Sequence, residues 1–434
     1  MSTTAKKLDI AIIGAGVVGV CAAIGLVKHG VNVQIYEAAE KLKEEGGSVG
    51  LSPDAIAAMK LILPEIEQIL AECVTKNGSK EDEDTWTTVC HGGRDTTDDF
   101  ITKIKTTDRA KTGQSLVHRY GFLQKLVDFL PAGVMKFGKS LVTVTTGPSS
   151  DQAIMEFEDG CVIEADAILG CDGIRSKVRD SHWQRTDYDP TYANMYVYRG
   201  VIPMEVCKKE LGEDYATNCH LYINKGGYVV TYPTDGGKFF NAGLTFHSNQ
   251  PWNHHRWIKR NQTEAMRVDF MGWGPTVLKI VNLMSEEVPS VDCWALYHIN
   301  NIGKYNKGKI LLLGDAAHAA TPHQAGGVGQ CVEDALVISE LLGDLPDSSY
   351  HAIINACRAY NIIRRPRARK LVSTSYEAGL LYSFMGPEGD DIHAIKKNLE
   401  TRMRWIWEED MEDQVRRAKE VFKQLEAGDT GKKE

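Results

Sequence analysis

Gly14, Gly16 and Gly19 are spaced as a glycine turn that can hold a pyrophosphate, and an acid, Glu37, follows them. Gly14 permits the tight turn, Gly16 lets backbone approach the phosphates, and Gly19 lets a helix pack close to a strand. The helix starting there would turn free N–H groups and the positive end of its dipole toward those phosphates. Glu37 can accept hydrogen bonds from both hydroxyls of an adenosine ribose. Two later segments carry related chemistry. Asp172-Gly173, with Ser176 and Arg179 after it, is an acid and a glycine turn ahead of a helix. In Gly314-Asp315-Ala316-Ala317-His318 an aspartate ends an apolar strand, where it can meet a ribityl hydroxyl. Gly326-Gly327-Val328-Gly329 then opens a helix able to face a pyrophosphate or a flavin carbonyl edge.

A second set of residues could act on a small molecule. In Met195-Tyr196-Val197-Tyr198-Arg199-Gly200-Val201, strand alternation puts Val197, Arg199 and Val201 on one face. Tyr228, Val230 and Tyr232 likewise share a face. A guanidinium between two valines either reaches past them to solvent or is buried with an anion. A tyrosine in such a strand is more often core than chemistry. On the residues alone both readings stay open. His318 and His323 flank the Gly-Asp segment and could be read as bases, although His318 sits in a motif that looks structural. His254-His255 lacks metal-ligand spacing and reads as a surface pair, so no metal site is expected. Trp405 and Trp407 cannot share one helix face and read as packing or a partner surface.

These residues need elements to position them. Leu8–Ile13 reads as a strand, Val20–His29 as a helix and Val31–Tyr36 as a second strand, which completes a βαβ unit around the first glycines. Residues 73–114 are polar and read as loop and short irregular pieces. Leu141–Thr145 and Ala153–Phe157 read as paired strands joined by a turn at Gly147-Pro148-Ser149-Ser150. Strand-like segments at Tyr192–Ile202, His220–Ile223, Tyr228–Tyr232 and Phe239–Phe246 form a sheet-rich module inside an α/β chain. The α/β pattern resumes near Lys307, a long helix follows from about Glu333, and roughly 390–425 is helical.

The chain has 434 residues with 50 Lys plus Arg and 58 Asp plus Glu, a net charge of −8. That sign gives no global pull toward nucleic acid or anionic lipid. Ten cysteines, none in a Cys-x-x-Cys pair, read as reduced thiols. The amino terminus runs directly into a strand where a secretory signal would place its cleavage site. No run reaches the roughly 18 apolar residues of a membrane span. The expected protein is soluble and cytoplasmic, with no nucleic-acid or membrane partner.

The glycine-rich βαβ unit, the Asp-Gly segment and the Gly-Asp segment, in that order, resemble the class A FAD-dependent aromatic monooxygenases. Tyr198-Arg199-Gly200, Tyr232-Pro233, Ala316-Ala317-His318 and the Arg364-Arg365-Pro366-Arg367 stretch are similar to the salicylate-hydroxylase-like group. That group includes fungal phenol-dearomatising monooxygenases of azaphilone and tropolone pathways. The resemblance implies an α/β fold: a Rossmann-like FAD domain of the glutathione-reductase type, an inserted β-sheet substrate domain and a C-terminal helical segment. The implied boundaries are 1–180 and 291–375 for the two parts of the FAD domain, 181–290 for the substrate domain and 376–434 for the helical segment. It implies non-covalent FAD, NAD(P)H as a transient reductant, O2 and a phenolic substrate hydroxylated through a flavin C4a-hydroperoxide. Dearomatisation of a polyketide-derived phenol is the expected outcome, with decarboxylating salicylate 1-hydroxylation and an FAD reductase without O2 chemistry as alternatives.

By the same resemblance Gly14, Gly16, Gly19, Glu37, Gly50, Arg119, Asp172, Asp315, Gly327 and Val328 contact the FAD. Glu37 would hold the adenosine ribose with Gly50 lending backbone near it, and Arg119 would lie over the pyrophosphate or ribityl chain. Arg199 and Tyr232 would be catalytic, one stabilising the phenolate and the other hydrogen-bonding the substrate oxygen. One departure is visible: where the family often has Gly-Gln-Gly-Ala, this chain has Ala325-Gly326-Gly327-Val328.

Overall fold

A computed structural model describes residues 8–42, 47–93, 100–106, 113, 115–146, 152–183, 188–300 and 302–430. Its first layer is a six-stranded sheet in the order Asn306–Lys307, Ile310–Leu312, Ala167–Gly170, Asp9–Ile13, Asn32–Tyr36, Met135–Lys136. All neighbours are parallel except the first pair. The inner strands are apolar runs with almost no exposed residue, as a sheet covered on both faces requires. Two helices, Val17–Lys28 and Gly327–Gly343, pack against each other on one side. They approach so closely at Gly25 that a Cβ there would lie 2.4 Å from Ser339 Oγ. The ends of the strands Asp9–Ile13, Ala167–Gly170 and Ile310–Leu312 bring Gly14, Asp172 and Asp315 to one edge of the sheet, the carboxyl edge where such folds bind ligands.

The second large sheet has eight strands, ordered Ile258–Lys259, Asp292–His298, Thr191–Pro203, Phe239–His247, Gly227–Thr234, His220–Asn224, Thr85–His91, Phe100–Lys105. One face packs on the helices Thr263–Asp269 and Pro275–Glu287 through Tyr198, Val229, Leu244, Phe270 and Met284. Part of this sheet overturns an expectation. Thr85–His91 and Phe100–Lys105, read from the sequence as loop, are strands here. Thr85, Thr87, Thr88 and Thr102 are buried by the pairing and the C-terminal helices while Lys105 stays exposed, so polarity misled the pattern. The strand Asp292–His298 also belongs to this sheet, although it follows residue 290.

Leu141–Thr146 pairs with Ala153–Phe157 as expected, while the turn at 147–150 lies outside the described residues. The helix Gly327–Gly343 opens at the glycines, six residues before Glu333. Residues 364–369 lie inside one helix, Tyr350–Tyr382, which continues through Pro366. The helices Ile392–Leu399, Arg404–Trp407 and Met411–Thr430 close the chain. Trp407 is buried with its ring 5.3 Å from that of Trp86, and Lys370 and Arg367 lie over the ring of Trp405, so both indoles are packing residues. Among the described residues no helix is long and apolar enough to cross a membrane.

Candidate active site

At the first glycine turn the backbone itself dictates composition. Gly14 has φ +104°, and a Cβ there would sit 2.5 Å from the Cys171 carbonyl oxygen. A Cβ on Gly19 would lie 2.1 Å from the Gly14 carbonyl oxygen. Gly16 differs, for a Cβ there would meet nothing within 4 Å. It is also the N-cap of the helix Val17–Lys28, and no side chain caps that helix. Two glycines thus shape the turn, and the third borders open space beside uncapped N–H groups, as a bound pyrophosphate needs. Glu37 is held at the end of its strand by two backbone donors. Ala15 N–H donates to one carboxylate oxygen at 2.8 Å and Ala39 N–H to the other at 2.9 Å. Each oxygen keeps a second lone pair for a ribose hydroxyl.

Asp172 spends one oxygen on the protein. Its Oδ2 accepts from Lys177 N–H at 2.7 Å and Val178 N–H at 3.1 Å, which caps the helix Lys177–His182. Its Oδ1 is buried with no partner among the described residues, and burial raises its pKa. Arg179, also buried, donates to the carbonyls of Ile174 at 2.6 Å and Ala316 at 2.8 Å, tying the Asp-Gly segment to the Gly-Asp segment.

Asp315 opens a one-turn helix, Asp315–His318, and its side chain is open to the cleft. Although water reaches it, the protein crowding around the carboxyl raises its pKa, and the charges of His318 and Arg119 oppose that rise. The fold therefore brings Arg119, at the start of the helix Arg119–Val127, within electrostatic reach of Asp315. At the helix Gly327–Gly343 the N-cap is Gly326, again with no side-chain cap, and a Cβ on Gly327 would meet nothing within 4 Å. Val328 is half-buried beside it. A Cβ added to Gly50 would lie 3.6 Å from the side chains of Ala325 and Trp86, so Gly50 borders the loop leading into that helix. Two uncapped helix starts, two open glycine positions and an orphaned buried carboxylate oxygen fit an extended dinucleotide such as FAD.

The sheet face turned away from its helices carries the other candidates. Register puts Val197 and Tyr228 on either side of Thr245, Arg199 and Val230 on either side of Gly243, and Val201 and Tyr232 on either side of Asn241. Gly243, between Arg199 and Val230, adds no side chain to this face, and a Cβ there would lie 3.4 Å from Val230 and 3.7 Å from Val197. Arg199 is exposed, has no ion pair among the described residues, and lies with its guanidinium carbon 5.8 Å from the Trp294 ring centre. Burial pushes the Tyr232 hydroxyl up to about 12, against the pull of Arg199 and a hydrogen bond with Asn241. It stays protonated at neutral pH and can donate.

The sequence reading missed how this face joins the flavin side. The Tyr228 hydroxyl lies 2.5 Å from His323 Nδ1, in the short helix Pro322–Gln324 just before Gly326. Burial, with repulsion from His298 and Arg402, pushes His323 down to about 3, so the ring is neutral. Its Nε2 has no partner among the described residues. Ser48 and Thr234 are also in hydroxyl contact, joining the Ser48–Gly50 strand to the strand that carries Tyr232. A Tyr-x-x-x-Tyr spacing on one strand was the only sequence hint, and it does not name a partner.

Comparison with known proteins places the whole chain. A family profile described as the FAD binding domain matches residues 7–375. The chain is 36% identical to a 6-methylsalicylate 1-monooxygenase of Aspergillus terreus over 97% of its own length and 93% of that protein. It is 30% identical to salicylate hydroxylase of Pseudomonas putida, covering 96% of each. A solved salicylate hydroxylase substrate complex superposes with a TM-score of 0.84 at 28% identity, covering 95% of this chain and 98% of that one.

Proposed function

Because the chain belongs to the FAD binding domain family, we propose that this FAD-dependent aromatic monooxygenase holds its substrate as a phenolate between Arg199 and Tyr232. When bound, the flavin, reduced by NAD(P)H, supplies from O2 the electrophilic oxygen that an electron-rich ring can attack. The chain's own residues bind, orient and exclude. The Arg199 guanidinium, without an ion pair among the described residues, supplies the positive charge that keeps the ring ionised. Tyr232, protonated and one register step along the same face, donates to a substrate oxygen and fixes which ring carbon points out of the sheet. Val197, Val201 and Val230 make the neighbouring positions on that face apolar. Glu37 would hold the adenosine ribose, Arg119 and Asp315 the ribityl and pyrophosphate stretch, and the N–H groups of Gly327 and Val328 the flavin's carbonyl edge. The single observation that supports this reading is an exposed cation with no ion pair among the described residues, on the sheet face it shares with Tyr232.

The finer reading is oxygen delivery to a ring carbon ortho to the phenolate that already bears a substituent. If that carbon carries a carbon group that cannot leave, the product stays dearomatised, as expected for a polyketide-derived phenol. If it carries a carboxylate, CO2 leaves and the ring recovers its aromaticity. The second outcome is favoured by the names of two relatives, a 6-methylsalicylate 1-monooxygenase and a salicylate hydroxylase. Incubating the holoenzyme with NAD(P)H and either salicylate, 6-methylsalicylate or an ortho-alkylated phenol separates the two. CO2 and a catechol from the acids support decarboxylating hydroxylation. A dearomatised ketol from the alkyl phenol alone supports the first reading. NAD(P)H oxidation without any oxygenated product from all three overturns the phenolate assignment.

A further inference from the structure

Beneath the Gly-Asp turn lies a cluster of charged side chains with no access to water. Arg364, Glu333 and Asp334 are each fully buried. Arg364 donates from Nε to Asp334 Oδ1 at 2.9 Å, from one terminal nitrogen to Gln330 at 2.8 Å, and from the other to Glu333 and to Gln414 Oε1, the latter at 3.2 Å. The other Asp334 oxygen, Oδ2, is the one that meets the turn. It accepts from Gly314 N–H at 2.9 Å and lies 2.6 Å from His318 Nε2, which donates because an ionised carboxylate can only accept. The Gly314 carbonyl in turn accepts from Ala317 and His318 N–H at 2.8 and 2.9 Å. One carboxylate oxygen therefore fastens both ends of the Gly314–His318 turn, and Asp315 sits between the two fastenings. Gly314 is held at φ +57°, ψ −139°, a conformation open only to glycine; Arg179 steadies the middle of the turn through the Ala316 carbonyl, while Asp334 holds its two ends.

We infer that Asp334 is a positioning residue for FAD: it sets where Asp315 presents its carboxylate to the ribityl chain, with Arg364 holding Asp334 in place. This rests on the reading of Asp315 as a flavin ligand. A misplacement of about an ångström at a bidentate hydrogen-bonding group weakens binding strongly, because both bonds fail together. Asp334 touches no flavin atom in this account; it acts through the turn.

The test is FAD titration into apoprotein, followed by flavin fluorescence, for the parent, Asp315→Asn, Asp334→Asn and the double variant. Asp334→Asn is expected to raise the FAD dissociation constant about tenfold or more, since an amide presents a donor to Gly314 N–H or to Arg364. The double variant is expected to bind little worse than Asp315→Asn alone, a non-additivity that general loosening of the fold would not produce. Asp334→Glu keeps the charge on Arg364 but moves the carboxylate by one methylene, and it serves if the amide variant fails to fold. Unchanged binding in the Asp334 variants, or losses that simply multiply, overturns the inference. Unchanged binding in Asp315→Asn overturns instead the reading of Asp315 on which it rests.

Discussion

Replacing Arg199 is the most direct trial of the substrate site. Arg199 has no anionic partner among the described residues and reaches only the Trp294 ring at 5.8 Å. Its loss should therefore cost the fold little, about 0.5–1 kcal/mol for an exposed cation–π contact. Its effect on a bound phenolate is much larger. Two unit charges about 4 Å apart attract by about 1 kcal/mol in water and about 4 kcal/mol at the effective dielectric of a protein surface. Arg199 is open to the cleft, so the value lies between, about 2–3 kcal/mol, or roughly 30- to 150-fold in rate. Arg199→Met should lose that full factor in kcat/KM for hydroxylated product. Arg199→Lys keeps the charge without the planar fork and should lose about tenfold. Both proteins should bind FAD as the parent does and melt within a few degrees of it, because the residue sits on the large sheet and not in the glycine turns. Product formation is followed by chromatography alongside NAD(P)H consumption and flavin content. Parent-like hydroxylation by Arg199→Met would refute the argument outright. Loss of flavin together with activity would show that Arg199 supports the fold and not the substrate.

Tyr232→Phe removes only the donor, so it should slow hydroxylation and divert part of the NAD(P)H consumed into hydrogen peroxide, measured by a peroxidase-coupled assay; full coupling would place the substrate oxygen elsewhere. Glu37→Ala should weaken FAD binding by about 10- to 100-fold through loss of charge-assisted bonds of ~1.5–3 kcal/mol, read by equilibrium dialysis. Asp54 is fully buried, both its oxygens lack hydrogen-bond partners among the described residues, and burial beside Glu333 pushes its pKa to about 8 against the pull of Arg367, 4.0 Å away. A raised folded pKa means that its stabilising share is intact below the ordinary value of 3.8 and is lost as pH climbs toward 8. Asp54→Asn should thus melt progressively higher than the parent between pH 5 and 8, with an upper limit on the order of 5 kcal/mol from 1.36 kcal/mol per unit; a pH-independent gap in melting temperature would mean the carboxyl is ionised in the fold. Ala325 is held at φ +49°, so Ala325→Gly should stabilise the protein by about 1 kcal/mol in thermal melts, and a loss of stability would contradict strain there.

The glycine turns were legible in the sequence because their constraint is local. Gly14 and Gly19 must lack a Cβ by reason of atoms within the same βαβ unit and the strand beside it, and Glu37 follows from where a strand ends. Strand alternation put Arg199 and Val201 on one face, and Tyr228 and Tyr232 on one face, for an equally local reason. That the two faces are the same face needed the register through Asn241, Gly243 and Thr245, and no pattern within either strand contains it. Thr85–His91 and Phe100–Lys105 looked like loop because cross-strand partners and C-terminal helices, far away in the chain, bury their polar positions. The meeting of Arg119 with Asp315, of Tyr228 with His323, and of Asp334 with Gly314 was decided in the same way. A hydrogen bond or a buried charge belongs to a pair of residues, and only the packing of distant elements chooses the pair.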